Sequence, residues 1–328
     1  MNLHDNRKLF TDAVLATAQH LDINPIFVEK DYWITRSLKL MSKADPNGRA
    51  IFKGGTSLSK AYFIGSRFSE DIDVAIVNAD LLNGNQRKSL IKRLAKSATV
   101  GLKEIVTPGV TSKGSSYYKA IYGYSQLPEL TEPIEGIPIR PGQIMLEINS
   151  FANPYPFVNC SIGNFIGEFL KRTYNDSMIE EYGLEEFKMN VLDKKRTATE
   201  KIVSLFRYSL AKDYEQELAK KIRHFYDLYF LMEDSECFEY FYSQEFISDL
   251  SSLLDHDREM FDKPDGWNTR SIMDSPLFKS LDEVWERSLS TLYEKELSAL
   301  AYKPIPPAKS VIENVASIIG EIRKFPSN

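Results

Sequence analysis

Residues 51–77 read IFKGGTSLSKAYFIGSRFSEDIDVAIV. Ile51 and Phe52 form a short apolar run that ends at Gly54-Gly55. Paired glycines permit torsions closed to other residues and let a ligand approach the main chain. Thr56 or Ser57 can cap the helix that follows, and a helix start with free N–H groups suits a phosphate. The stretch ends in Ser69-Glu70-Asp71-Ile72-Asp73-Val74, where alternation puts Asp71 and Asp73 on one strand face and the aliphatic residues on the other. Two carboxylates ~7 Å apart on a strand repel unless a cation sits between them. Hard oxygens of this kind suit Mg²⁺, which holds substrate phosphates through one or two carboxylates. The whole reads strand, glycine turn, helix, loop, strand. Taken singly, each motif has a plainer reading: a lone Asp-x-Asp is a solvated strand face, and a lone Gly-Gly a turn.

Outward from this stretch, composition sets the bounds. At 328 residues, two domains are expected. Hydrophobic content of 43% and charged content of 27% are those of a soluble globular protein. No run of 18 apolar residues exists and the first 21 residues lack a signal-peptide core, so neither membrane nor export is expected. Cys160 and Cys237 form no zinc or disulfide pattern, which fits a reducing cytoplasm. Net charge is −5, yet residues 189–224 hold nine Lys/Arg against five Asp/Glu, and residues 232–265 two against eleven. Such blocks are either solvated helix faces or a basic wall for RNA or a triphosphate.

Before the glycine turn, residues 5–21 carry Phe10, Val14, Ala18 and Leu21 at helical spacing. Asn24-Pro25 opens a second helix with Val28, Tyr32 or Trp33, and Leu38 inward. Glu29-Lys30-Asp31 interrupts it and reads as an exposed first turn. After the Asp-x-Asp strand, residues 85–102 form a basic helix with Arg87, Lys88, Lys92, Arg93 and Lys96. Tyr117, Tyr118, Tyr122 and Tyr124 lie in a β-prone run, as sheet packing or as a base-stacking row. Residues 128–141 hold four prolines and read as a loop. In Gln143–Asn149, Glu147 shares a face with Met145, as a third carboxylate or a solvent-facing edge residue. Beyond 150 the strand signals mostly stop. Thr197-x-x-Glu200 is a capping box opening a helix, and Asp227 lies in an apolar helix with Arg223 four residues earlier to pair with it.

The glycine turn, the 15-residue spacer Thr56–Glu70 and the Asp-x-Asp strand resemble the nucleotidyltransferase fold of the DNA polymerase β superfamily. The wording FKGGTSLSKAY…RFSEDIDVAI is similar to the AbiEii/AbiGii-type nucleotidyltransferase toxins, the toxin halves of type IV toxin–antitoxin systems. The segment VEKDYWITRSL resembles their preceding helix. Lys201 in ATEKIVSLFR and Asp227 in RHFYDLYFL resemble the family's lysine and arginine-x-x-x-aspartate-leucine motifs. Residues 25–232 carry the resemblance. It implies an α+β protein: a mixed-sheet polymerase β-like domain over 1–155 and a C-terminal helical domain over 156–328. It further implies Mg²⁺ or Mn²⁺ on Asp71, Asp73 and Glu147, and an NTP substrate cradled by Gly54, Gly55, Thr56, Ser57 and Lys60. Lys201 would contact phosphates and Asp227 would support the site. The implied acceptor is RNA, at a tRNA 3′ end, and a cognate antitoxin is an implied partner. Protein hydroxyls, small molecules and a regulatory module without transferase activity are the alternatives.

Overall fold

The structure is a computed structural model that describes residues 1–130 and 139–324. Most of the expected loop at 128–141 lies outside the described residues. The chain divides into two compact units. One comprises Met1–Phe63 and Phe68–Leu192, the other Ile64–Arg67 and everything from Asp193.

The first unit opens with α1 (Arg7–Leu21) and α2 (Pro25–Lys43). Then come β1 (Ala50–Lys53), α3 (Gly54–Ala61), β2 (Asp71–Ile76) and α4 (Gly84–Ala98). β3 (Lys103–Ile105), β4 (Ser112–Lys113), β5 (Tyr117–Gly123) and β6 (Gln143–Asn149) follow. β7 (Phe157–Ile162), α5 (Phe165–Arg172), α6 (Asp176–Tyr182) and β8 (Phe187–Leu192) complete it. The strands form one mixed sheet in the order β3-β5-β6-β2-β1-β8-β7, with β4 beside β5. β2 runs parallel to β6, and β1 antiparallel to β2. The division therefore falls after Leu192, later than position 155. β8 pairs with β1, and β7 pairs with β8, so residues 157–192 continue the sheet. Phe157–Ile162 escapes a sequence reading because a run with Asn159, Cys160 and Ser161 carries little strand signal.

One sheet face is apolar. Ile72, Val74, Ile76, Leu146, Ile148, Tyr118, Ala120 and Tyr122 are buried in one core with Val14, Leu38 and Leu94 from the helices. Alternation sends their sequence neighbours to the other face. Tyr118 and Tyr122 are thus core residues, their hydroxyls bonded to each other, and only Tyr117 of that pattern joins the polar face. α2 is capped by the Asn24 side chain, which accepts from the Ile26 amide, and Pro25 stands at its first turn.

The second unit is helical: α7 (Lys194–Ser209), α8 (Tyr214–Ala219), α9 (Ile222–Glu233), α10 (Ser235–Phe241), α11 (Gln244–Met260), α12 (Pro276–Lys279), α13 (Leu281–Val284), α14 (Ser290–Leu300) and α15 (Ala308–Arg323). α7 starts three residues before the predicted capping box. Asp193 is its cap, accepting from the Lys195 amide at 2.8 Å, and Thr197 and Glu200 lie inside the helix. The tetrapeptide Ile64–Arg67 belongs here because the Ser66 amide donates to the Tyr226 hydroxyl at 2.9 Å. The Ser66 carbonyl also accepts from Tyr302.

Candidate active site

The four central strands place one charged residue each in a single row across the polar face. Lys53 on β1 is in register with Asp73 on β2, Asp73 with Glu147 on β6, and Glu147 with Lys119 on β5. Directly opposed residues point to the same side of a sheet. The row therefore reads cation, anion, anion, cation, with all four side chains half-buried. Asp71 lies two residues before Asp73 on the same face, opposite Met145. The sequence-predicted carboxylates Asp71, Asp73 and Glu147 are thus brought together by register.

The electrostatics follow from this crowding. Burial raises the Asp73 carboxyl to about 7, with the Asp71 and Glu147 carboxylates adding to the rise and Lys53 and Lys119 opposing it. The Lys119 ammonium lies 3.1 Å from the Glu147 carboxylate. Burial, together with a hydrogen bond to Glu147 and its charge, pushes the Tyr117 hydroxyl upward. Lys53 and Lys119 escape a sequence reading because only strand pairing brings residues 53, 73, 119 and 147 together.

Gly54 begins α3 with φ +82°, in the left-handed region. A Cβ there would lie 2.6 Å from Asp73 Oδ2. Backbone conformation and the close approach of β2 both demand glycine. Thr56 and Ser57 are buried and turned inward rather than capping the helix. Thr56 Oγ1 donates to the Asp71 carbonyl at 2.6 Å, and Ser57 Oγ to the Gly54 carbonyl at 2.8 Å. Thr56 ties the glycine turn to the start of β2, and Ser57 closes the first turn of α3 on itself. Lys60 is engaged elsewhere: its Nζ donates to Asp31 Oδ1 at 2.5 Å and to the Gly163 carbonyl at 3.0 Å.

Lys201 and Asp227 meet in the second unit, with a partner the sequence did not suggest. Asp227 Oδ2 accepts from Lys201 Nζ at 2.6 Å and from the Arg67 guanidinium at 2.7 Å, and Oδ1 accepts from Arg67 Nε at 2.7 Å. All three are buried. Burial alone would raise the Asp227 carboxyl, but Arg67 and Lys201 hold it well below the usual range. Arg223, expected to pair with Asp227, instead lies 3.9 Å from Glu296. Burial, with Lys201 and Lys221 nearby, drives the His224 imidazole well below its usual value. Arg67 was visible only as the first residue of the RFSED run.

Three carboxylates on one face supply the hard oxygens that Mg²⁺ or Mn²⁺ takes, and Asp73, raised chiefly by burial and further by its carboxylate neighbours, is a group whose charged form a cation would favour. Among the described residues, no three such side chains close into a metal cage as they stand. Mg²⁺ takes one or two carboxylates together with the phosphates of its substrate. The donor set fits the ion.

The mixed sheet thus carries an Asp-x-Asp strand beside a glycine turn, with another carboxylate in register on the adjoining parallel strand. The family model for the nucleotidyl transferase AbiEii toxin of type IV toxin–antitoxin systems matches residues 36–313, and the chain belongs to that family. Among solved structures, MenT4, a nucleotidyltransferase toxin from Mycobacterium tuberculosis H37Rv, is similar in fold. Its TM-score is 0.56 at 16% identity, covering 96% of this chain and 90% of that one. JHP933 from Helicobacter pylori aligns with a TM-score of 0.38 at 17% identity, over 90% and 94% of the two chains. No curated protein is a significant match to the sequence.

Proposed function

We propose that this nucleotidyltransferase toxin moves a nucleoside monophosphate from an NTP to an RNA acceptor, at a tRNA 3′ end, in a metal-dependent reaction. The observation that carries the reading is the row Lys53, Asp73, Glu147, Lys119 beside the Gly54 turn. Asp71 and Asp73, with Glu147 in register, would hold Mg²⁺ or Mn²⁺, whose chemistry there is to neutralise phosphate charge and favour an ionised attacking hydroxyl. The N–H groups of the Gly54-Gly55 turn would bind phosphate oxygens at the start of α3. Lys53 and Lys119 flank the carboxylates and would offset charge as pyrophosphate leaves. Lys201, paired with Asp227 in the helical unit, is proposed to be needed for transfer.

α4 packs on the apolar side of the sheet, opposite the carboxylate row, and offers a basic surface for a part of an RNA away from its reacting end. It carries Arg87, Lys88, Lys92, Arg93 and Lys96 and no acidic residue, in a chain whose net charge is −5. Lys88, Lys92, Arg93 and Lys96 are exposed, as a polyanion-binding surface requires. Membership of a type IV system implies a cognate antitoxin, which need not touch the toxin. Among the described residues no helix is long and apolar enough to cross a membrane, and the cytoplasm, where tRNA resides, is the proposed compartment.

The test is incubation with each α-labelled NTP, Mg²⁺ and total tRNA, followed by separation of RNA from protein. Label in the RNA band is expected. Label in protein alone would replace the RNA acceptor with a protein one.

A further inference from the structure

We propose that the charged triplet Glu29-Lys30-Asp31 of α2 is a positioning device for the catalytic face, and that its central member, Lys30, sets the register of β2 against β6 through Glu70. The inference rests on the reading of that face as the transfer site. It begins with burial: Glu29 and Lys30 are 0% exposed and Asp31 is 3% exposed. Such groups are rarely buried unless paired.

Successive residues on a helix point about 100° apart. The three side chains therefore leave α2 in three directions, and each ends on a different segment. Glu29 Oε1 accepts from the Leu127 amide at 2.7 Å, just beyond β5. Asp31 Oδ2 accepts from the Phe165 amide at 2.9 Å, while its Oδ1 holds Lys60 on the last turn of α3. Lys30 Nζ donates to Glu70 Oε2 and, at 2.8 Å, to the Arg140 carbonyl. Glu70 Oε2 also accepts from the Arg140 amide at 3.0 Å.

The consequence lies in where Glu70 and Arg140 sit. Glu70 immediately precedes Asp71, and Arg140 stands three residues before β6. β2 and β6 are parallel, so both begin at the same end of the sheet. One ammonium and one carboxylate thus pin both beginnings to a single point. A one-residue slip of either strand would turn its carboxylate from the polar face into the apolar core. An apolar pair of similar volume in place of Lys30 and Glu70 could hold the unit together as well. It could not bridge a carboxylate to the Arg140 main chain. The charges are accounted for by register rather than by cohesion.

The double variant Lys30→Met/Glu70→Gln, made in the full chain, tests this. It leaves every proposed catalytic residue in place. The expected result is a near-native Tm, a KM for NTP within about threefold of wild type, and kcat reduced about tenfold or more, as small misplacements produce. Amide hydrogen exchange over Asp71–Ile76 and Gln143–Asn149 should quicken, while exchange in α15 stays unchanged. A folded double variant with wild-type kcat and exchange overturns the proposal. If that variant does not fold, Glu70→Gln alone, which keeps the shape and one acceptor, should show the same changes in lesser degree, and wild-type behaviour there overturns it equally. A wild-type protein without transfer activity counts against the transfer reading, and the exchange measurement still decides the clamp.

Discussion

Asp227→Ala should destabilise the second unit by about 3–5 kcal/mol, the usual cost of removing one partner from a buried ion pair. The magnitude follows from the geometry. Asp227 accepts three hydrogen bonds, all at 2.6–2.7 Å, from two cations, and all three side chains lie out of water. Its loss leaves the Arg67 guanidinium and Lys201 ammonium buried side by side with no counter-charge from it. For a unit of this size the loss corresponds to a fall in Tm of roughly 6–20 °C. Thermal melts followed by circular dichroism read it directly. The pH dependence supplies a second measure. The folded Asp227 carboxyl is held below its unfolded value of about 3.9, so its contribution is complete above that pH and is lost as pH falls through the folded value. Wild type should therefore lose more stability than Asp227→Ala on acidification below about pH 4. The triple variant Arg67→Met/Lys201→Met/Asp227→Leu should be near neutral or better, since apolar side chains of similar volume can replace a buried ionic cluster. A cost below about 1 kcal/mol for Asp227→Ala, the level of an exposed pair, would refute this reasoning.

Lys201→Ala should cost about 1–3 kcal/mol, less than Asp227→Ala because Arg67 still pairs the carboxylate, and should cut transfer about 10²-fold; melts and initial rates together separate the two effects. Gly54→Ala should abolish transfer while the protein stays folded, because the added methyl meets the Asp73 carboxylate and the backbone has φ +82°; activity within a few-fold of wild type would contradict the close approach. In the metal-free protein the raised Asp73 carboxyl should cost stability progressively as pH rises from its unfolded value of about 3.9 to about 7, and Mg²⁺ should restore the lost part; melts from pH 5 to 8 with and without the ion check the sign.

Much of this was legible in the chain because the signals were local. Gly54-Gly55 and Asp71-x-Asp73 announce a turn and a strand face through residues adjacent in sequence. Glu147 was identifiable as a strand residue, and its register with Asp73 emerges once β2 and β6 pair. What stayed hidden depends on residues distant in sequence. Arg67 and Asp227 are 160 positions apart, and nothing near Asp227 names its partner, so Arg223 looked adequate. Glu29-Lys30-Asp31 looked exposed because charge ordinarily marks a solvated face, yet all three are buried beneath segments supplied by residues 70, 127, 140 and 165. The sheet strands after 155 were missed because Asn159, Cys160 and Ser161 weaken β7, and only pairing with β8 sustains it.

Nucleotidyl transfer at the carboxylate row stands or falls with Asp73→Asn. Asparagine keeps the size of the side chain and removes its charge. Transfer from α-labelled NTP should fall to background while secondary structure stays native and the metal-free Tm near neutral pH is no lower than that of wild type. Wild-type transfer by folded Asp73→Asn, with unchanged Mg²⁺ dependence, would contradict the account.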